Sequence, residues 1–195
     1  MVTNMSERKN YWCGSTVILR TPNADDVEKI VADFERIDYD SEAEWLADEL
    51  HLPRSVQGCR DYWEKTAKEG PQGDNCSLII ADKSGNLCGF IVVNNTSARH
   101  GGFSYGLSIL PEYRGKSIAK EAVLLILDYY FNYLRYHRCG IHIYDFNPRS
   151  VRFHEKLGFR KCGQLHECHF FDGKYHDSLL YEMTADQFNE MRKKA

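Results

Sequence analysis

Two mostly apolar segments, residues 103–110 and 139–146, have the length and composition of buried strands. One long helical pattern lies between them, with apolar side chains along a single stripe: Ile118, Ala122, Leu125, Ile126, Tyr129 and Tyr133. Parallel neighbours cannot be joined by a tight turn, and a helix is their usual connection. The sequence therefore predicts a sheet that contains a parallel pair of strands.

The rest of the chain adds further strands and helices. Strands are predicted at residues 15–20, 77–81 and 87–93, and as a final hairpin around Asp172 and Gly173. Helices are predicted after residue 23, at residues 41–50, after a Ser55 cap, at 149–157 and at 185–193. We expect a mixed α/β fold in a single domain over residues 12–195, preceded by a flexible segment at residues 1–11.

Composition narrows the possible functions. The net charge of -3 shows no basic excess, so nucleic acid is not an expected partner. No apolar run approaches the length of a membrane span, and the polar start of the chain does not resemble a signal peptide, so we expect a cytoplasmic protein. The seven cysteines are odd in number and form no C-x-x-C, which favours reduced and mostly buried thiols. No metal site is predicted, because residues 166–169 would alternate between two faces of a strand.

Residues 107–119, LSILPEYRGKSIA, form the most informative segment. A strand ends near Pro111, a helix begins near Gly115, and small residues lie between them. The first turn of a helix carries unpaired N–H donors and the positive end of its dipole, which suits a pyrophosphate. Arg114 and Lys116 add positive charge. The loop is neither a Walker A nor a Rossmann motif, and a simple helix start with a flexible glycine is the alternative interpretation.

Residues 111–119 resemble the acetyl-CoA signature of the GCN5-related N-acetyltransferases, [RQ]-x-x-G-x-[GA]. Arg114 and Ala119 match it, whereas Ser117 replaces the usual central glycine. The resemblance implies that acetyl-CoA is the cosubstrate. It also implies that the strand before the loop holds the pantetheine arm and that the loop holds the pyrophosphate, through Leu107, Ser108, Ile109, Leu110, Arg114, Gly115, Lys116, Ser117, Ile118 and Ala119.

Residues 147–159 resemble the second motif of the same family, N-x-x-[AS]-x-x-x-Y-x-K-x-G-F. Asn147 and Ser150 are the implied cofactor ligands, although Asn147 could equally serve as a turn former. Residues 163–183 are similar to the branch of ribosomal-protein and spermidine acetyltransferases. The implied fold is a mostly antiparallel central sheet with one parallel pair, flanked by helices.

The catalytic residues are less clear from the sequence. Many family members place a tyrosine acid seven residues after the motif asparagine, and here that position is His154, which can donate a proton near neutral pH. Several relatives carry a glutamate where this chain has Ser104, so Tyr105 is a nearby polar alternative. His142, Tyr144 and Asp145 alternate along the other parallel strand, and the identity of the base stays open.

The substrate prediction is a primary amine, either a small cationic amine or a protein N-terminus. Residues 25–49 are strongly acidic and could attract a cation, with Trp45 and Trp63 adding cation–π contacts. The alternative is a solvated helix face with both tryptophans in the core.

The predicted activity is acetyl transfer by direct attack in a ternary complex. Two alternatives stay open: a non-catalytic acyl-CoA-binding module and a transferase of longer acyl groups. Tyr129, Tyr130 and Tyr133, taken as exposed, hint at a homodimer.

Overall fold

The computed structural model describes residues 10–35, 55–171 and 173–194. Seven strands form one mixed sheet: β1 (Val17–Arg20), β2 (Cys76–Asp82), β3 (Leu87–Ser97), β4 (Gly102–Ile109), β5 (Arg138–Tyr144), β6 (Arg160–Phe171) and β7 (Lys174–Thr184). The helices of the described ranges are α1 (Ala24–Glu35), α2 (Val56–Glu69), α3 (Ile118–Asp128), α4 (Pro148–Lys156) and α5 (Ala185–Lys194). The predicted fold class, a mixed sheet flanked by helices, is confirmed.

The sheet has the order β1-β2-β3-β4-β5-β7-β6, and β4 and β5 form its parallel pair. Their pairing is short. Gly102 is opposite Arg138 and Phe103 is opposite Cys139, and no further β4–β5 pair is formed in the described residues. Both strands nevertheless continue, β4 to Ile109 and β5 to its own end, while each stays paired to its outer neighbour. The two strands therefore diverge and leave a wedge-shaped opening at their carboxyl ends.

The two faces of the sheet carry different layers. On one face, buried side chains of α3 and α5, among them Ile126 and Phe188, pack with β4 and β5 in the main core. On the other face, α1 and α2 cover β2 and the start of β3 through a second cluster that contains Val31 and Trp63. Trp63 is buried there against Phe90, with ring centroids 5.3 Å apart, which agrees with the core interpretation of this tryptophan.

The long helix is shorter than its apolar stripe suggested. Helix α3 ends at Asp128, and the chain continues as a π-helical turn over Tyr129–Tyr133. Tyr130 is only 2% exposed, because its ring stacks on Phe103 at 4.5 Å and its hydroxyl donates to the Asp74 carbonyl. The prediction that Tyr130 is exposed was therefore wrong, whereas Tyr133 is 61% exposed.

Other local predictions have mixed outcomes. The Ser55 cap is confirmed, since its hydroxyl accepts a hydrogen bond from the Gly58 amide at 3.2 Å. The cysteines are not mostly buried: Cys88 and Cys139 are buried, whereas Cys13, Cys162 and Cys168 are exposed. Residues 1–9, the predicted helix at 41–50, Trp45 and Asp172 lie outside the described residues. In the described ranges, no helix combines the length and the apolar content needed to cross a bilayer.

One carboxylate joins the first strand to α3. Glu121 accepts hydrogen bonds from the amides of Ser15, Thr16 and Val17, at 2.5, 2.8 and 3.0 Å, and from the hydroxyls of Ser15 and Thr16. Burial alone would raise the pKa of this carboxyl, but the hydrogen bonds from Ser15 and Thr16 outweigh burial and lower the pKa to about 2. Glu121 therefore fixes the start of α3 against the edge of the sheet.

We predict that Glu121→Gln lowers the stability of the protein at neutral pH and makes it less sensitive to acid. The ordinary pKa of 4.5 falls to about 2 in the folded state, so the stabilisation is complete above pH 4.5 and is lost as the pH falls toward 2. Thermal unfolding from pH 7 to pH 2.5 measures this effect. Glu190→Gln, which changes an exposed carboxyl of α5, is the control. If the melting temperature falls with pH equally steeply in Glu121→Gln and in the unaltered protein, the prediction is contradicted.

Candidate functional site

The edge of β4 faces the wedge-shaped opening with unpaired backbone groups. The Leu110 amide donates to the Cys88 carbonyl on β3 at 2.9 Å. Along a strand, the backbone N–H and C=O groups of successive residues point to alternate sides. The backbone groups of the even-numbered residues before Leu110 therefore point toward β3. Those of Tyr105, Leu107 and Ile109 point into the opening. The Ile109 carbonyl is occupied by the Nε of Arg114 at 3.0 Å. An extended ligand that pairs with the Leu107 backbone would occupy the place of a missing strand neighbour.

The loop after β4 forms a concave row of amides. A short 3₁₀ turn over Pro111–Tyr113 leads into Gly115, with φ of 75°, and Ser117, with φ of 61°, before α3 begins. The amides of residues 115–119 make no protein hydrogen bond in the described part of the chain. Successive N–H groups in such a turn, at the positive end of a helix, create an anion-binding nest. Space is open where a Cβ of Gly115 would lie.

Positive side chains flank the nest. Arg114 reaches back to the end of β4, and the Lys116 ammonium lies over the Tyr113 ring, 5.3 Å from its centroid. Both residues are exposed, so their charges can meet an incoming anion.

The second motif holds the start of α4. The Asn147 side-chain oxygen accepts a hydrogen bond from the Ser150 amide at 3.0 Å, which makes Asn147 the N-cap of the helix. The Ser150 hydroxyl lies 3.2 Å from the Nδ1 of His154. This geometry favours the turn-former interpretation of Asn147, because its oxygen is already used by the helix.

His154 is buried rather than on the helix surface. Only 5% of it is exposed, and its Nδ1 lies 2.8 Å from the Ser150 carbonyl. A carbonyl oxygen can only accept, so Nδ1 carries the proton and Nε2 has a free lone pair. Burial lowers the pKa of His154 to about 4, although the hydrogen bond to the Ser150 carbonyl opposes this shift. A neutral imidazole of this tautomer has no proton on Nε2 to donate, which argues against His154 as the predicted acid.

Tyr105 lies beside His154 in the core. Their ring centroids are 5.9 Å apart, and both rings pack against Phe159, at 6.3 and 5.4 Å. The Tyr105 hydroxyl and the His154 Nε2 are both buried and have no hydrogen-bond partner. Burial raises the pKa of Tyr105 well above its ordinary value, so the hydroxyl stays protonated. Buried polar atoms without partners are rare in proteins, so these two atoms, on rings that pack against the same phenylalanine, are candidates for contacts with a polar ligand.

The opposite face of β4 and β5 presents small and polar groups. The Ser104 hydroxyl donates to the side-chain oxygen of Asn94 at 2.5 Å and accepts from the side-chain Nδ2 of Asn95 at 3.0 Å. Gly106 and His142 are exposed. Ser104, Gly106 and His142 therefore place only small or polar side chains on this part of the surface.

Asp145, one of the candidate bases from the sequence, forms a carboxylate–histidine pair. The Nδ1 of His176 on β7 lies 2.8 Å from the Oδ1 of Asp145, the residue that follows β5. Asp145 was among the alternatives for the base, but His176 was missed. Only the register between β5 and β7, which places Tyr144 opposite Ser178, brings His176 close to Asp145. That register cannot be inferred from residue spacing.

The acidic segment is partly used for structure. The Asp26 carboxylate is 2% exposed and binds Arg20 at 2.5 and 2.9 Å, and Glu28 pairs with Arg60. These two side chains are therefore not free to form an acidic rim. Most of the predicted acidic segment, residues 36–49, lies outside the described residues. In the described ranges, no three His, Cys, Asp or Glu side chains are grouped as a metal site.

Comparison with known proteins agrees with this geometry. Residues 16–160 match the family described as the acetyltransferase (GNAT) domain. An uncharacterised, prophage-derived N-acetyltransferase of Bacillus subtilis is 34% identical over 91% of this chain and 95% of its own. The spermidine N(1)-acetyltransferase of Vibrio cholerae is 31% identical over 57% of this chain and 65% of its own. The crystal structure of a Vibrio cholerae spermidine N-acetyltransferase with CoA and spermine has a TM-score of 0.75, at 22% identity, and covers 90% of this chain and 99% of that chain.

We predict that Ser117→Gly stabilises the protein. Ser117 has a left-handed conformation without a side-chain capping bond, which costs a non-glycine residue roughly 1–2 kcal/mol. Part of this gain is offset by the greater freedom of glycine in the unfolded chain, so we expect a net stabilisation of about 0.5–1 kcal/mol. Denaturant unfolding measures it. Ser117→Ala, which lacks the hydroxyl but keeps the Cβ, is the control, and equal stability of the two variants would contradict backbone strain as the cause.

Proposed function

Because this chain belongs to the acetyltransferase (GNAT) family, we propose that it transfers an acetyl group from acetyl-CoA to the primary amine of a small cationic acceptor or a peptide N-terminus. The observation that carries the proposal is the opening between β4 and β5, which has unpaired strand edges on one side and a nest of free amides at its mouth. An anionic end and an extended amide-bearing arm are the two features of CoA that match these parts.

The proposed cofactor contacts follow the backbone. The pyrophosphate lies against the amides of residues 115–119, with Arg114 and Lys116 adding charge. The pantetheine arm runs along residues 107–110 and pairs with the backbone groups of Leu107. Asn147 and Ser150 hold α4 in place through the Asn147 side-chain oxygen and the Ser150 hydroxyl, so the side-chain Nδ2 of Asn147 is the group that can donate to the cofactor.

The chemistry requires one bond to form and one to break. The neutral amine attacks the thioester carbonyl carbon within the ternary complex, and the C–S bond breaks. The nitrogen then loses one proton and the thiolate gains one, so the products are a neutral amide and a thiol. Until it gains that proton, the departing thiolate needs a hydrogen bond. We assign this hydrogen-bond donor role to the Tyr105 hydroxyl, which is protonated and unpartnered, and propose that the lone pair of His154 Nε2 accepts a hydrogen bond from a bound ligand. Ser104 faces the other side of the sheet and can only orient a ligand through its hydroxyl.

A cationic small amine is the acceptor class that the relatives favour, since one of them is named for spermidine. The exposed residues Gly106 and His142 offer a surface beside the opening for an acceptor of either class. A homodimer and a cytoplasmic location stay predictions.

A thiol-release assay tests the proposal. Acetyl-CoA is supplied with spermidine, spermine or an alanine-starting tripeptide amide, and free CoA is measured with a thiol reagent. We expect amine-dependent release with at least one acceptor. Binding of acetyl-CoA by calorimetry without turnover on any amine would instead support the non-catalytic module. Faster turnover of longer acyl-CoAs than of acetyl-CoA would support the alternative acyl preference.

We predict that Gly115→Glu weakens acetyl-CoA binding at least about 100-fold, because it places a negative charge and a strained side chain beside the pyrophosphate. Isothermal titration calorimetry measures the affinity. Gly73→Glu is the matched control, since Gly73 also has a positive φ, of 62°, with open space at its Cβ, but lies in the loop before β2. Unchanged affinity in Gly115→Glu would remove the pyrophosphate from this loop.

We also predict that Tyr105→Phe lowers kcat about 10- to 100-fold without lowering the melting temperature. The hydroxyl is buried and unpartnered, so its removal does not break a structural hydrogen bond. Thiol release and thermal unfolding are measured together, with Tyr181→Phe as the control, because that hydroxyl has a structural partner in Glu155 at 2.8 Å. A fully active Tyr105→Phe would exclude Tyr105 as the donor.

A further inference from the structure

His176 is a buried histidine with one nitrogen held and the other unused. It is 7% exposed, its Nδ1 lies 2.8 Å from the Asp145 carboxylate, and its buried Nε2 has no hydrogen-bond partner. A carboxylate only accepts, so Nδ1 carries the proton and Nε2 presents a lone pair. The second Asp145 oxygen accepts from the Asp177 amide at 3.2 Å, which fixes the carboxylate as well. This is the arrangement that orients an imidazole as a base.

The pair lies at the carboxyl end of β5, six residues beyond Cys139, the last residue of β5 that pairs with β4. Asp145 follows the last residue of β5, and the cap of α4, Asn147, is two residues further on. His176 is two residues before Ser178, which is opposite Tyr144 in the register. Side chains two apart share a face, so His176 lies on the same face as Tyr144 and His142, opposite the face covered by α3.

Aromatic rings surround the pair. Phe146 lies 4.7 Å and Phe171 5.9 Å from the His176 ring, and these two phenylalanines stack on each other at 4.5 Å. Tyr144 continues the row, with its ring 5.0 Å from Phe146. These rings provide a partly buried apolar surface beside a carboxylate that is 38% exposed. An alkylammonium group fits such a surface, because its methylene groups pack on the rings and its charge is attracted to the carboxylate and to the ring faces.

We infer that Asp145 and His176 form the proton-accepting pair for the acceptor amine, an inference that rests on the proposed acetyltransferase function. The ammonium of the acceptor transfers a proton to the Nε2 lone pair and becomes the neutral nucleophile. The resulting imidazolium is stabilised by Asp145, and it returns the proton to solvent after the amide has formed. The step needs no oxidant, metal or second cosubstrate.

The experiment uses variants that separate this role from a structural one. In His176→Asn, the side-chain amide can still donate to Asp145 from the position of Nδ1, but Nε2 is lost. In Asp145→Asn, the carboxylate charge is lost while the shape is kept. His169→Asn is the control, because His169 is directly opposite His176 on β6. His142→Asn tests the competing base on β5.

The readout is kcat/KM from pH 5 to pH 9.5, with spermidine and with an alanine-starting tripeptide amide. A fall in kcat/KM toward low pH is the acid limb of the profile. The two acceptors differ in basicity, so an acid limb at the same pH for both belongs to the protein and not to the amine. The titratable groups around His176 are Asp145 after β5, Tyr144 on β5 and His169 on β6. The carboxylate of Asp177, the next residue on β7, instead accepts from Gln164 and from the Glu167 amide.

We expect His176→Asn to lower kcat about 100-fold or more with little change in KM, and to remove the acid limb that both acceptors share. Asp145→Asn should lower kcat too, and the acid limb should persist in the control His169→Asn and in His142→Asn. An active His176→Asn with an unchanged limb, or loss of the limb in His142→Asn, would overturn the inference while leaving the acetyltransferase function intact. Absence of turnover in the unaltered protein would overturn both.

A second measurement covers the case in which His176→Asn does not fold. Imidazole ¹⁵N NMR of the unaltered protein reports which nitrogen of His176 carries the proton. We expect protonated Nδ1 and unprotonated Nε2 in the CoA complex, and a change of the Nε2 resonance when spermidine is added. The opposite tautomer, or a resonance that spermidine leaves unchanged, would contradict the assignment.

Discussion

The site depends on the short parallel pairing of β4 with β5. Two residue pairs join these strands at Gly102 and Phe103, and the Gly101 carbonyl strengthens the junction by accepting hydrogen bonds from the amides of His137 and Arg138, at 2.7 and 2.9 Å. Beyond that point each strand is held by its outer neighbour, so the sheet stays intact while its centre opens. The backbone groups left in the opening need partners from a ligand or from water, since an unsatisfied buried group costs roughly 1–3 kcal/mol.

Three different environments meet around this opening. The mouth is electropositive, with free amides before α3 and exposed basic side chains beside them. The core below it contains the neutral Tyr105 and His154, whose polar atoms lack partners. The opposite face ends in Asp145 and His176, which combine a negative charge with an oriented imidazole. An anionic cofactor, a neutral thioester and a cationic amine would each meet a complementary part of the protein in our proposal.

The sequence predicted the parallel pair, the helix after the loop and the class of fold, because these follow from strand length, helical periodicity and local turn chemistry. It also located the loop at residues 114–119, since small residues at a helix start are a local signal. It could not place His154 in the core, and it missed His176 altogether. Burial and partner choice at these residues depend on contacts between distant segments, such as Tyr105 with α4 and Asp145 with β7, which no short-range pattern encodes.

The central claim is that CoA occupies the opening by pairing with the free edge of β4. Amide hydrogen exchange, resolved by residue with NMR, tests it most directly when the protein is compared with and without CoA. The account predicts that the Leu107 amide and those of residues 115–119 gain protection on binding, while the Ser108 amide, which faces β3, changes little. Binding of CoA with no change in the exchange of Leu107 and of residues 115–119 would contradict it.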